Sequence, residues 1–122
     1  MDRKKILIVD DERELVEFVK LRLEANNYQA LLAYDGEEVL NMVSKDIPDL
    51  IILDILLPKM DGHKVCETLK KDPKYSKIPI IMLTAKDREE DIILAKNIGA
   101  DAYISKPFDA PLLLYHIKNL VK

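Results

Sequence analysis

The segment "DLIILDILLP", Asp49 to Pro58, poses the problem of the fold. A run of Leu and Ile carries a single carboxylate, Asp54, in its middle. Asp disfavours strands and is almost never fully buried unless paired. Isolated in an apolar core it would lose much hydration energy or stay protonated. Either the strand ends at Asp54 and the carboxylate emerges at its tip, or a cation meets it there.

Outward from this segment, apolar runs of strand length alternate with longer amphipathic stretches. "KILIV" (5–9) and "DLIIL" (49–53) read as strands buried on both faces. "YQALLAY" (28–34) is a weaker strand suited to an edge, "IPIIML" (78–83) another strand, and "DAYIS" (101–105) a short one. Helical spacing is predicted over 12–27, 36–46, 62–72, 88–100 and 110–122. The third helix stops before Pro73, Gly99 caps the fourth, and Pro111 sits in the first turn of the last. Five strand–helix units imply right-handed crossovers. The predicted fold is a doubly wound α/β domain, with a five-stranded parallel sheet and helices on both faces.

The bulk numbers agree with one such domain over 1–122. The chain has 122 residues, is 48% hydrophobic and carries a formal charge of −3. A mildly acidic domain without a basic stripe is a poor candidate for direct nucleic-acid binding. A single cysteine, Cys66, excludes an intramolecular disulfide framework and fits a reducing compartment. "MDRKKILIVDDE" has too short an apolar run for a signal peptide or a membrane span, so a cytoplasmic protein is expected.

In open α/β sheets, ligands bind beyond the carboxyl ends of the strands. Asp10 and Asp11 follow the first strand, Asp54 the third, Thr84 the fourth and Lys106 the fifth. Three carboxylates, a hydroxyl and an ammonium therefore meet at one end of the sheet. Carboxylates so placed repel each other, and a divalent cation relieves the repulsion. An all-oxygen donor set points to Mg2+ (or Mn2+) rather than Zn2+. A carboxylate can also act as a nucleophile toward phosphorus. Lys106 would neutralise a phosphoryl group on Asp54, and Thr84 would donate a hydrogen bond to it.

"LIVDDE" (7–12), "PDLIILDILLPKMDG" (48–62), "IPIIMLTA" (78–85) and "GADAYISKPF" (99–108) together resemble the receiver domain of two-component response regulators, along the whole chain. The resemblance implies a CheY-like sheet in the order 2-1-3-4-5. It implies Asp54 as phosphoacceptor, Asp11 as direct metal ligand, Asp10 as a ligand through water, and the Leu56 backbone carbonyl as a further ligand. Thr84 and Lys106 match the phosphate-sensing pair, Tyr103 the switching aromatic, and Lys106–Pro107 a peptide bond usually cis in the family. Small Ala85 leaves access to the phosphoryl group. The implied donor is a sensor histidine kinase or a phosphotransfer domain. The implied output is a partner-binding face formed by 88–98, 101–105 and 110–121. Leu56 and Lys86 would flank the hydrolytic water.

Receivers joined to winged-helix domains often read "GADDY" and pair a Glu with an Arg in the last helix. Here Ala102, Leu112 and His116 occupy those positions. A stand-alone receiver, monomeric when unphosphorylated, is the expectation.

Rival chemistries fit the residues less well. An FMN site needs a Gly/Ser/Thr-rich phosphate loop, where this chain has "DDERE". A haloacid-dehalogenase phosphatase usually has a second Asp two residues after the nucleophile, where this chain has Leu56. A receiver without chemistry would have no need of five matched polar residues.

Other residues read more plainly. Cys66 belongs to the apolar side of its helix, and Met60 to loop packing. His63 and His116 are expected on the surface. In the first helix the apolar stripe is Leu15, Phe18, Val19 and Leu23, so Leu21 points away from it and is a candidate partner contact. Leu112 and Tyr115 lie similarly off the Leu113–Ile117–Leu120 stripe.

Overall fold

Successive strand residues face opposite sides of a sheet, so a strand without a polar position must be covered on both. In a computed structural model of the chain, which describes residues 3–85 and 89–121, two such strands lie side by side at the centre. They are β1 (Lys5–Val9) and β3 (Leu50–Leu53), parallel, with Leu7 opposite Ile51 and Val9 opposite Leu53. Outside them come β2 (Gln29–Ala33), β4 (Ile80–Thr84) and β5 (Ala102–Ser105). The sheet order is β2-β1-β3-β4-β5, every pair parallel.

The connecting helices are α1 (Arg13–Ala25), α2 (Gly36–Lys45), α3 (Gly62–Lys71), α4 (Glu89–Asn97) and α5 (Ala110–Leu120). Strand alternation sorts them into two layers. Ile6, Ile8, Leu50, Ile52, Ile81 and Ile104 pack with Val16, Val19 and Leu23 of α1 and Leu113 and Ile117 of α5. Leu7, Val9, Ile51, Leu53, Ile80 and Met82 pack on the other face with Val39, Val43, Val65, Cys66, Leu69 and Ala95. Truncating one of these fully buried Leu or Ile residues to Ala costs about 2–5 kcal/mol.

Asp caps start three helices. Asp35 accepts from the Glu38 amide at 3.0 Å, Asp61 from His63 at 2.7 Å and Asp109 from Leu112 at 2.8 Å. Bonding to the Glu38 amide holds the Asp35 carboxyl below its ordinary range. Helix α1 differs: Glu12 sits at its N-cap and its side chain makes no capping bond.

The end of the sheet away from the strand tips is tied by Lys70. Its ammonium donates to the carbonyls of Ser76 (3.3 Å) and Ile78 (2.8 Å) and to Asp101 Oδ2 (3.0 Å), which also accepts from the Ile80 amide. Gly99, at φ 103°, turns the chain over the Lys70 stem.

Helix bounds and burial correct some expectations. Helix α1 ends at Ala25 because the chain turns at Asn26 and Asn27, the latter at φ 68°. Helix α4 ends at Asn97, with Ile98 and Gly99 forming the exit turn. Strand β4 starts at Ile80 rather than 78, since Pro79 has no amide to donate. Phe18 is 41% exposed, with the Arg22 guanidinium 5.0 Å above its ring, and Val16 takes the buried position instead. No described helix is long and apolar enough to cross a membrane.

Candidate functional site

Asp10 and Asp54 follow β1 and β3 directly, and the sheet hydrogen bonding carries on to them. The Asp10 amide donates to Ala33 at 3.2 Å and the Asp54 amide to Val9 at 3.0 Å. Both carboxylates are buried, at 2% and 4% exposure. Each has one oxygen fixed by a nearby amide: Asp10 Oδ1 by Glu12 (2.9 Å) and Asp54 Oδ1 by Leu56 (3.1 Å).

Each second oxygen meets Lys106, which leaves the tip of β5. Its Nζ is 2.8 Å from Asp10 Oδ2, 3.1 Å from Asp54 Oδ2 and 2.9 Å from Glu12 Oε1. Asp54 thus emerges at a strand tip, and a cation meets it there. Burial works against charge on Lys106, but the bonds to Asp10 and Glu12 and the charges of Asp10 and Asp54 outweigh it and raise its pKa. Burial likewise dominates at Asp10 and raises its pKa, against the Lys106 bond.

Asp10, Glu12 and Asp54 offer oxygens that all lie within 4.8 Å of one another. Three carboxylates against one ammonium leave an excess of negative charge in a confined space. Such an excess of carboxylate oxygens suits a hard divalent cation.

Sequence reasoning named Asp10, Asp54 and Lys106, and the structure brings them together. It also named Asp11, which is exposed and outside this trio. Glu12 takes the third place, and sequence reasoning missed it. Its available signal was a Glu at the N-cap, where Ser, Thr, Asp or Asn serve better. Leu56 is 51% exposed beside Asp54. Thr84 is the last residue of β4 rather than the first beyond it, and its side chain, like all of Lys86, lies outside the described residues.

Tyr103 is half-buried on β5, and the Lys106–Pro107 bond is cis. Leu21, Leu112 and Tyr115 are exposed at 64%, 43% and 62%. Cys66 is fully buried, and burial pushes its thiol up to about 11. His63 departs from the expected surface position: its side chain is 13% exposed and its Nε2 is buried without a hydrogen-bond partner among the described residues. His63 lines a groove together with Asp61, Leu94 and Ile98.

A five-stranded parallel sheet with two buried aspartates and a lysine at its tips defines a class, and the comparisons agree. The chain belongs to the response regulator receiver domain family, which it matches over residues 6–118. It is therefore a receiver domain of two-component response regulators, a signalling switch. It is 43% identical over 119 residues to the alkaline phosphatase synthesis transcriptional regulatory protein PhoP of Bacillus subtilis (strain 168). That match takes in 98% of this chain and 49% of the relative, so the chain spans about half the relative's length.

Two solved structures illustrate the fold. The signal receiver domain of a signal transduction histidine kinase from Syntrophus aciditrophicus superimposes with a TM-score of 0.90 at 38% identity, covering 97% of this chain and 89% of that one. The chemotaxis response regulator CheY4 of Vibrio cholerae gives 0.91 at 30% identity, covering 98% and 99%.

Proposed function

We propose that residues 1–122 act as one phosphoacceptor unit, in which Asp54 takes a phosphoryl group from a phosphohistidine donor. The observation that carries this reading is the convergence of Asp10, Glu12 and Asp54 on the Lys106 ammonium. One Asp54 carboxylate oxygen attacks phosphorus. The new P–O bond forms as the donor's P–N bond breaks, and the electron pair stays on the imidazole nitrogen, which takes a proton from water. Lys106 then pairs with a phosphoryl oxygen.

Mg2+ would be held by Asp10, Asp11, Asp54 and the Leu56 carbonyl, and when bound it supplies positive charge against the transferring group. Thr84 donates its hydroxyl to the phosphoryl group, and Tyr103 turns inward with it. The α4–β5–α5 face, where Leu112 and Tyr115 are exposed, then changes its affinity for an output partner. The kinase or phosphotransfer domain docks on α1, where Leu21 is exposed. Hydrolysis returns phosphate and the free Asp54 carboxylate, at a rate tuned by Leu56 and Lys86. The work is cytoplasmic, with no direct contact to nucleic acid or membrane.

The test is the chemical identity of the adduct. Protein treated with acetyl phosphate and then reduced with borohydride should carry homoserine at position 54. Homoserine at another aspartate, or none at position 54, would overturn the assignment.

A further inference from the structure

Lys106 has three ammonium protons and three carboxylate acceptors. Asp10 and Asp54 are buried, and each is also bound to a backbone amide. Glu12 is different. Its side chain is 62% exposed, and its carboxylate has Lys106 as its only hydrogen-bond partner among the described residues. It stands at the N-cap of α1 without capping the helix, so its side chain serves Lys106 rather than α1. Its backbone meanwhile fixes Asp10 through the 2.9 Å amide bond. The ammonium is therefore saturated before any phosphoryl group arrives. A phosphoryl oxygen that binds Lys106 has to displace one of the three acceptors, and Glu12 is the one least held in place.

Building on the reading of Asp54 as phosphoacceptor, we propose that Glu12 is a positioning residue that competes with the phosphoryl group for Lys106. In the resting state it holds the ammonium over Asp10 and Asp54. In the phosphorylated state it gives up its place to a phosphoryl oxygen and turns to solvent. Glu12 thereby lowers the stability of the phosphorylated state, acting through Lys106 and not through the metal.

The test uses beryllium trifluoride as a tetrahedral stand-in for the phosphoryl group, followed by fluorine NMR at saturating Mg2+. Glu12→Gln should bind it about two- to fivefold more tightly than the wild type, the size of an exposed ion pair. In a Lys106→Gln background the same substitution should change nothing, because the competitor's target is gone. Equal binding by wild type and Glu12→Gln overturns the proposal while leaving Asp54 in its role. Weaker binding in Glu12→Gln makes Glu12 a metal ligand and also overturns it. A gain that persists without Lys106 assigns the effect to net charge alone and does the same. A wild type that binds none overturns the phosphoacceptor reading together with the proposal.

Discussion

The Lys106 ammonium lies 3.1 Å from Asp54 Oδ2 and so joins the tips of β5 and β3 across β4. Its side chain is 13% exposed and Asp54's is 5% exposed. The site is thus one charge network, and removing Lys106 leaves its carboxylates without an internal cation.

Lys106→Met should destabilise the protein by about 1–3 kcal/mol, the cost of leaving buried acceptors unmet. Added Mg2+ should recover more stability in this variant than in the wild type, because Asp10 and Asp54 no longer have an internal cation. Urea denaturation followed by circular dichroism, with and without Mg2+, measures both effects. An identical response to Mg2+ in the two proteins would contradict the network.

Gly62 is held against the phosphoacceptor's own backbone. A Cβ there would lie 2.1 Å from the Asp54 carbonyl oxygen and 2.6 Å from Ile55 Cα. Both neighbours are backbone atoms, so relief requires moving the strand tip. Gly62→Ala should lower stability and reduce the rate of phosphoryl uptake at least tenfold, since small misplacements cost heavily. Uptake at the wild-type rate would show that the loop adjusts without moving Asp54.

Lys70 offers the opposite case, a half-buried ammonium far from the chemistry. Lys70→Met leaves the Ser76 and Ile78 carbonyls without their ammonium donor and Asp101 with only the Ile80 amide, and should cost about 1–3 kcal/mol. Phosphoryl uptake at 25 °C should be unchanged while the protein remains folded. A stability loss accompanied by lost uptake would mean that the two ends of the sheet are coupled.

Stability should fall at both ends of the pH range, for separate reasons. Asp35 has its pKa lowered by the Glu38 amide, so its contribution is present above the ordinary carboxylate range and fades as pH falls through the folded value. Cys66 has its pKa raised from 9.0 to about 11, so stability is full below 9 and falls as pH rises through that interval. Asp35→Asn should flatten the acid limb and Cys66→Ala the alkaline one. Native Cys66 should also resist alkylation at neutral pH.

Most of the fold was legible because its central strands have no polar position and end where polar residues begin. "KILIV" and "DLIIL" can be buried only in a covered parallel sheet, and the residues after each strand fell at one edge. Glu12 was not legible, because strand-tip reasoning stops one residue short of it and its reach to Lys106 is a long-range contact. Phe18 and His63 failed for a related reason. Helical periodicity gives a stripe about one residue wide of the true one, and here Val16 fills the core while Arg22 covers Phe18. His63 lines a groove with Leu94 and Ile98, residues distant in the chain that helical periodicity within α3 does not report.

The central claim is that Asp54 carries the phosphoryl group. Intact mass after incubation with acetyl phosphate, with and without Mg2+, for wild type and Asp54→Asn, tests it most directly. A single phosphoryl adduct that requires Mg2+ and vanishes in Asp54→Asn is the predicted result. An adduct that persists in Asp54→Asn, or none in the wild type, would contradict the account.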